Sequence, residues 1–377
     1  MRQEIRGYLE VREAAKDFQT YSSDLLGDRD VRTYRQLPLE ADPPRHTQFR
    51  SAVQPLFMGD AIAVHRPAFA AHARKLIAEI QQKGSGDIAS EFALAYVIGC
   101  LSIIYQRPQD YEEWLSWGPD VWTAESHQKG QTTKAGEEVL RDRNFDIPSE
   151  RSGDILQAYL DRVFDHAEAH PVTDSEQQDV WDFVSQIEID GQRISRPEMQ
   201  GIANVLLAGG RDTVIKLVTG LIWHLIGKPS DREFLAANQD WFNRTIAEMV
   251  RYLTPLPKME RATGDQIGLP DDQRDPSKYV LLNFVSANHD REIWPDADVV
   301  NIHRERKPHL AFGFGRHSCM GMNITEHEVG ELLKVLVNEW PGWQFAEDPE
   351  ISWATDLDKH GNEIRYINRF EKLLVRV

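Results

Sequence analysis

Cysteine is scarce in this chain. Cys100 and Cys319 stand far apart in 377 residues and neither belongs to a Cys-x-x-Cys, which excludes a disulfide-built scaffold and a cysteine-rich zinc site. Long apolar runs are also missing. The longest, Phe92 to Ile104, is about a dozen residues against the ~20 a membrane-crossing helix needs, so it reads as a buried helix. Met1 to Leu9 is charged and has no apolar centre, so no secretory leader is expected, and a reducing cytoplasm fits the cysteine usage. Positive charge is in deficit. With 43 Lys+Arg against 60 Asp+Glu, the formal charge of -17 disfavours nucleic-acid binding through net attraction.

What is present suits a soluble acidic globular protein with a large core, 41% hydrophobic and 27% charged. Tyr8 to Val11 reads as a short strand and Val11 to Phe18 as a short helix. Gly27 to Pro44 lacks periodicity and ends in Asp42-Pro43-Pro44, a loop that delivers the chain into a helix. That helix puts His46 and Arg50 on one face at i and i+4, as either a solvated basic pair or a clamp for an anionic group. Ala61 to Gln82, Glu91 to Tyr105 and Ile155 to His170 carry helical periodicity. Trp114, Trp117 and Trp122 read as core or pocket wall, and Thr123 to Gly136 as a mobile loop.

Ser195-Arg196-Pro197-Glu198 is a capping box with proline in the first turn, so a helix starts there and runs to about Ile226, before Gly227 and Pro229. Inside it lies Leu206-Leu207-Ala208-Gly209-Gly210-Arg211-Asp212-Thr213. Two adjacent glycines cost a helix interior about 1 kcal/mol each relative to alanine. They mark either a distortion where a ligand lies against the backbone, with Asp212 and Thr213 able to move protons, or a plain break between two helices. Glu248 and Arg251 fall one turn apart on the next long helix, and Met259 to Ile267 and Tyr279 to Phe284 read as short strands. Ala287 to Pro308 is a long connection without periodicity, which needs partners such as Arg304 meeting Glu248 and Arg251 to hold it.

The stretch His309 to Gly321 carries the most chemistry. Gly313 and Gly315 permit close backbone approach, Cys319 is placed at the start of a helix running through Leu336, and Gly321 leaves flat space beside the sulfur. The helix start, Arg316 and His317 favour a thiolate. A thiolate, an apolar slot and scattered basic residues suit a planar metal macrocycle with carboxylates; a buried structural cysteine is the bland alternative.

Phe312-Gly313-x-Gly315-x-His317-x-Cys319-x-Gly321 resembles the haem-binding signature of the cytochrome P450 family. Glu248-x-x-Arg251, Gly209-Gly210-x-Asp212-Thr213 and Asp42-Pro43-Pro44-x-His46-x-x-x-Arg50 match further family motifs in the right order. The resemblance implies a single domain over residues 1–377, mainly α with small β-sheets, with haem b between the long central helix and the cysteine helix. It implies Cys319 as axial ligand of the haem iron, the thiolate-haem case in which sulfur pushes electron density toward O–O cleavage. Phe312, Gly313, Gly321 and Gly209 would line the haem; His46, Arg50, Arg261, His317 and, less directly, His309 would hold its propionates. Glu248, Arg251 and Arg304 would form a structural ion network, and Asp212 and Thr213 would deliver protons during dioxygen activation. Leu206, Leu207, Ala208, Leu256, Met259 and the Gly27 to Ala41 loop would line a largely apolar pocket.

The activity implied is a bacterial-type monooxygenase that oxidises a small organic substrate with O2 and electrons from a separate ferredoxin or flavodoxin. That partner is expected near Arg316, with the enzyme a cytoplasmic monomer away from membranes. Oxidative coupling in natural-product tailoring is a second reading, and a haem-binding sensor, which would not need Asp212 and Thr213, a third. Three departures from the family stand out. The stretch ahead of Asp42 is short, Asn301 replaces an aspartate common three residues before the network arginine, and Lys258 falls where apolar pocket residues are usual.

Overall fold

The computed structural model describes residues 2–25, 34–118, 152–175 and 177–377. Trp122, the Thr123 to Gly136 segment and the 27–33 part of the proposed pocket loop lie outside the described residues. In chain order come β1 (Gln3–Ile5), α1 (Tyr8–Lys16), α2 (Arg45–Val53), α3 (Gly59–Ala63), α4 (Arg66–Lys83), β2 (Ser85–Asp87), α5 (Leu94–Ile104) and α6 (Tyr111–Ser116). They are followed by α7 (Ser152–Ala169), α8 (Val180–Ser185), the hairpin β3 (Glu188–Ile189) and β4 (Gln192–Arg193), α9 (Arg196–Gly209), α10 (Asp212–Gly227), α11 (Pro229–Ala237) and α12 (Phe242–Leu253). The last part holds β5 (Lys258–Arg261), β6 (Val280–Asn283), α13 (Phe284–Asn288), α14 (Met322–Asn338), β7 (Gln344–Phe345), β8 (Glu350–Leu357), β9 (Glu363–Lys372) and β10 (Leu374–Arg376). By contacts the chain divides into two compact units, one of residues 1–22, 59–97 and 213–377, the other of residues 23–58 and 98–212.

In the first unit β1 runs parallel to β6 and β5 antiparallel to it, pairing Glu4 with Leu281 and Met259 with Leu282. A second sheet orders β2, β10 and β7, and β8 with β9 forms a long separate hairpin. The expected strand at Tyr8 to Val11 is instead the first turn of α1. Tyr8, Val11 and Ala14 recur every third residue and are all buried, a helical stripe, and Gly7 admits the chain at φ 89°. That stripe packs on Leu282, Phe284, Trp294 and Leu310, with Tyr8 edge-on to Trp294 at 5.1 Å.

The second unit is built on aromatic rings. Trp114, Trp117 and Trp181 pack around Tyr159 in edge-to-face contacts at 5.0 to 6.2 Å, so the first two tryptophans are core. The buried Tyr159 hydroxyl donates to Asp110 at 2.6 Å and accepts from Trp181 Nε1 at 2.8 Å. Arg107 grips Asp110 through two nitrogens and reaches Asp179, which satisfies the buried carboxylate.

Helix α9 starts as its capping box requires, Ser195 N–H donating to the Glu198 carboxylate at 2.7 Å. The helix expected to run unbroken to about Ile226 is interrupted: α9 stops at Gly209, Gly210 and Arg211 form a turn, and α10 resumes at Asp212. The interruption lies at the glycine pair, where helix propensity is lowest. Ala61 to Gln82 is likewise two helices, α3 and α4, with Pro67 in the first turn of the second.

Gly201, in the middle of α9, lets the chain at Arg35 cross the helix closely. A Cβ there would lie 1.9 Å from the Arg35 carbonyl oxygen, a backbone atom that cannot swing away. We therefore expect Gly201→Ala to destabilise the fold by roughly 1–3 kcal/mol, the range for overpacking, while Gly59→Ala, whose Cβ would meet nothing within 4 Å, is neutral. Urea midpoints of the two variants check this, and equal midpoints would contradict the close crossing.

Candidate haem-thiolate site

The cysteine loop begins with a reversal that glycine makes possible. Gly313 sits at φ 68° and Gly315 at φ 71°, left-handed conformations that disfavour other side chains. A Cβ on Gly315 would also press within 3.1 Å of the Ala15 carbonyl in α1. Helix α1 and the turn after it support the loop further: Arg12 lies over the Phe314 ring at 4.7 Å and Arg316 over Phe18 at 5.3 Å. The backbone N–H of Cys319 donates to the Phe312 carbonyl at 2.7 Å and closes the loop.

Cys319 is exposed, whereas Cys100 is buried. A Cβ on Gly321 would meet only the Cys319 Sγ, at 3.7 Å, so glycine here keeps one side of the sulfur clear. The helix expected to start at Cys319 begins three residues later. Gly321 is the N-cap and α14 begins at Met322, so the sulfur stands just ahead of the helix rather than in its first turn. An accessible thiol on a rigid loop, with a clear face beside it, fits an axial ligand for haem iron.

The other residues fall as follows. His46 and Arg50 lie one turn apart on α2, with His46 and Phe49 buried. Leu206 and Leu207 are buried, and the Leu206 carbonyl accepts from the Tyr105 hydroxyl at 2.8 Å. Gly209, by contrast, is exposed with open space where its Cβ would be. Asp212 is half exposed and paired with Arg211, whose own side chain is buried. Thr213 follows in the first turn of α10. Arg261 ends β5 and is buried, Met259 packs on the core under α1, and Leu256 is 40% exposed. Lys258 is occupied by Glu4 and Asp356, each at 2.7 Å. Burial alone would lower its pKa, but these carboxylates carry it above the usual lysine value.

Glu248, Arg251 and Arg304 are brought together. Arg251 holds Glu248 through two bonds of 2.8 Å, and Arg304 Nε adds a third at 3.1 Å. Arg251 also donates to the carbonyls of Asn288, Ala297 and Val299. Asn301, in place of the usual aspartate, contributes its backbone N–H to Glu248 at 3.0 Å and its side chain to the His303 N–H. Next to this network His309 is pushed down to about 4, first by burial and then by the Arg251 charge, so it is neutral at pH 7.

The family model described as cytochrome P450 matches residues 238–340, which include the Glu248 network and the cysteine loop. Across the chain, the cyclomarin C epoxidase CymV of Salinispora arenicola is 28% identical over 340 residues, 88% of this chain and 82% of that protein. The 6-deoxyerythronolide B hydroxylase of Saccharopolyspora erythraea is 24% identical, over 87% of this chain and 77% of that one. Among solved structures, that of a carbohydrate-active P450 superposes with a TM-score of 0.79 at 24% identity, covering 98% of this chain and 91% of that one. The chain belongs to the cytochrome P450 family. As a P450 it has the mainly helical fold with small sheets and is a monooxygenase, requiring haem iron, dioxygen, an organic substrate and a redox partner. No helix among the described residues is long and apolar enough to cross a membrane.

Three charged groups of this P450 escaped the sequence reading. Arg211 is the counter-ion of Asp212. Lys216, one turn beyond Thr213, is brought down to about 7 by burial and stands 6.0 Å from the Tyr366 ring. Glu328, on the cysteine helix α14, is fully enclosed, with no hydrogen-bond partner for either carboxylate oxygen among the described residues, and burial raises it to about 8. Only Lys216 had a visible signal, a single charge in the apolar helical run Val214-Ile215-Lys216-Leu217-Val218; Glu328, between Glu326 and Glu331, looks in sequence like one more surface acid.

Glu328 makes stability depend on pH in a fixed direction. Its folded pKa of about 8 lies above the unfolded 4.5, so the native state binds the extra proton between those values and stability falls as pH rises through them. Denaturation midpoints of the wild type are expected to drop from pH 5 to about 8, with Glu328→Gln markedly flatter; parallel pH profiles would contradict an unpaired buried carboxyl.

Proposed function

We propose that the chain is a haem b monooxygenase in which Cys319 would hold the haem iron and whose electrons come from a separate ferredoxin or flavodoxin. The observation that carries the reading is the exposed Cys319 sulfur on a loop locked by Gly313, Gly315 and the 2.7 Å bond to Phe312. Haem, when bound, supplies the iron at which dioxygen is activated. Cys319 would supply negative charge to that iron. His46, Arg50, Arg261 and His317 would pair with the propionates, and Phe312, Gly313, Gly209 and Gly321 would leave space for the ring. A single P450 domain over residues 1–377 in the cytoplasm, acting as a monomer, accompanies this reading.

Asp212 would carry protons from solvent, since it is half exposed, and Thr213 Oγ1 would pass them on toward dioxygen. The apolar candidates Leu206, Leu207, Ala208, Leu256 and Met259 fit a largely apolar substrate, with Ala208 and Gly209 less covered than the leucines before them. The buried charges of Glu248, Arg251 and Arg304 would keep the cysteine loop in place rather than take part in the reaction. That two relatives are named cyclomarin C epoxidase and 6-deoxyerythronolide B hydroxylase favours an oxidising enzyme over a sensor role.

Purified protein with surrogate ferredoxin and reductase is expected to consume NADPH and O2 faster when a spin-shifting ligand is present. Thr213→Ala should keep haem and ligand binding yet divert reducing equivalents to hydrogen peroxide. Unchanged coupling of NADPH to product in that variant would remove Thr213 from proton delivery, and no ligand-dependent O2 uptake in the wild type would favour the sensor.

A further inference from the structure

Helix α7 buries Leu156, Tyr159, Leu160, Val163, Phe164 and Ala167 and turns His166 outward. The backbone N–H of His170 donates to the His166 carbonyl at 2.9 Å, which carries the helical turn one residue past Ala169. His166 and His170 are thereby neighbours on one exposed face, their ring centroids 4.7 Å apart and their planes tilted by 30°. We propose that these two side chains chelate a borderline divalent transition-metal ion, copper(II) foremost.

The ring of His170 is already set for this task. Its Nδ1 lies 3.2 Å from the His166 carbonyl oxygen. A carbonyl only accepts, so Nδ1 carries the proton and Nε2 presents its lone pair outward. The same arrangement, one ring nitrogen tied to a backbone carbonyl and the other on the metal, orients histidine ligands in metalloproteins generally. Neither ring nitrogen of His166 takes part in a hydrogen bond among the described residues. Its ring is free to turn its lone pair toward the same point.

The surroundings favour a cation. The pair occupies the last turn of α7, where the helix dipole is negative. Asp182 on α8 is buried, and His166 is among the groups whose charge acts on it, so its carboxylate lies within electrostatic reach. The nearer acids compete little, because Arg196 holds Asp165 at 2.5 Å and Glu168 at 2.7 Å. No cluster of three or more histidine, cysteine or carboxylate ligands exists among the described residues. The remaining positions on the ion would be filled by water, an open site in which imidazole nitrogens favour copper(II) over nickel(II) and zinc.

The test is a copper(II) chloride titration of the full-length, haem-loaded protein, read from the copper paramagnetic resonance signal. One tight equivalent with two-nitrogen ligation is expected. His166→Gln and His170→Gln should each abolish it, and His360→Gln, at an exposed histidine outside the pair, should leave it intact. All three positions are exposed, so thermal midpoints without copper should match the wild type, while one equivalent of copper should raise the midpoint of the wild type and of His360→Gln but not of His166→Gln or His170→Gln. Absence of a tight equivalent in the wild type, or its persistence in the double variant, overturns the site.

Discussion

The cysteine loop owes its position to a buried guanidinium. Arg251 is 1% exposed, and its five donors are distributed between one carboxylate and three backbone carbonyls. Residues 289–314 have almost no regular structure, so their carbonyls need partners from elsewhere. Arg251 supplies several and Arg304 supplies more, donating to Pro295, Asp296 and Val299. Asn288 continues the chain of contacts: its amide donates to Thr254, and its side-chain oxygen accepts the Leu310 N–H at 2.7 Å, three residues before Gly313. Glu248 balances the two arginines. A buried pair of this kind is weak evidence for stability in itself, yet losing one partner typically costs about 3–5 kcal/mol because the other charge is stranded. Here the loss would also release the segment that leads into Cys319.

Much of this was legible in the sequence because the motifs encode geometry directly. Glycine at 313 and 315 announces a backbone reversal, and the structure has positive φ at both. Glu248 and Arg251 at i and i+3 announce a pair, and the pair forms. The capping box at Ser195 fixes a helix start to the residue. Other features carry no such signature. The carbonyls that Arg251 serves are backbone atoms, identical at every position, so no residue type could have named Ala297 or Val299. Tyr8 and Val11 suit a strand locally, and only their burial together with Ala14 decides for a helix. The close approach of Leu101, whose Cδ2 would lie 2.9 Å from a Cβ at Gly210, is a contact separated by over a hundred residues and has no local signature.

The two ends of the proposed chemistry differ in how they are held. Cys319 is constrained from several directions, by α1, by the Phe312 carbonyl and by the start of α14. Asp212 and Thr213 begin a helix directly after a two-residue turn, and among the described residues Asp212 is tied to its neighbour Arg211. A rigid electron-rich ligand and a more pliant proton donor are what each task asks for: the first must hold its geometry, the second must reach solvent and return.

The central claim is that the Cys319 sulfur is the ligand of the haem iron. The carbon monoxide difference spectrum of the dithionite-reduced protein tests it most directly. Thiolate ligation predicts the strongly red-shifted Soret band for the wild type and its loss in Cys319→His with haem retained. A wild-type band at the position typical of histidine-ligated haem, or a red-shifted band that survives in Cys319→His, would contradict the account.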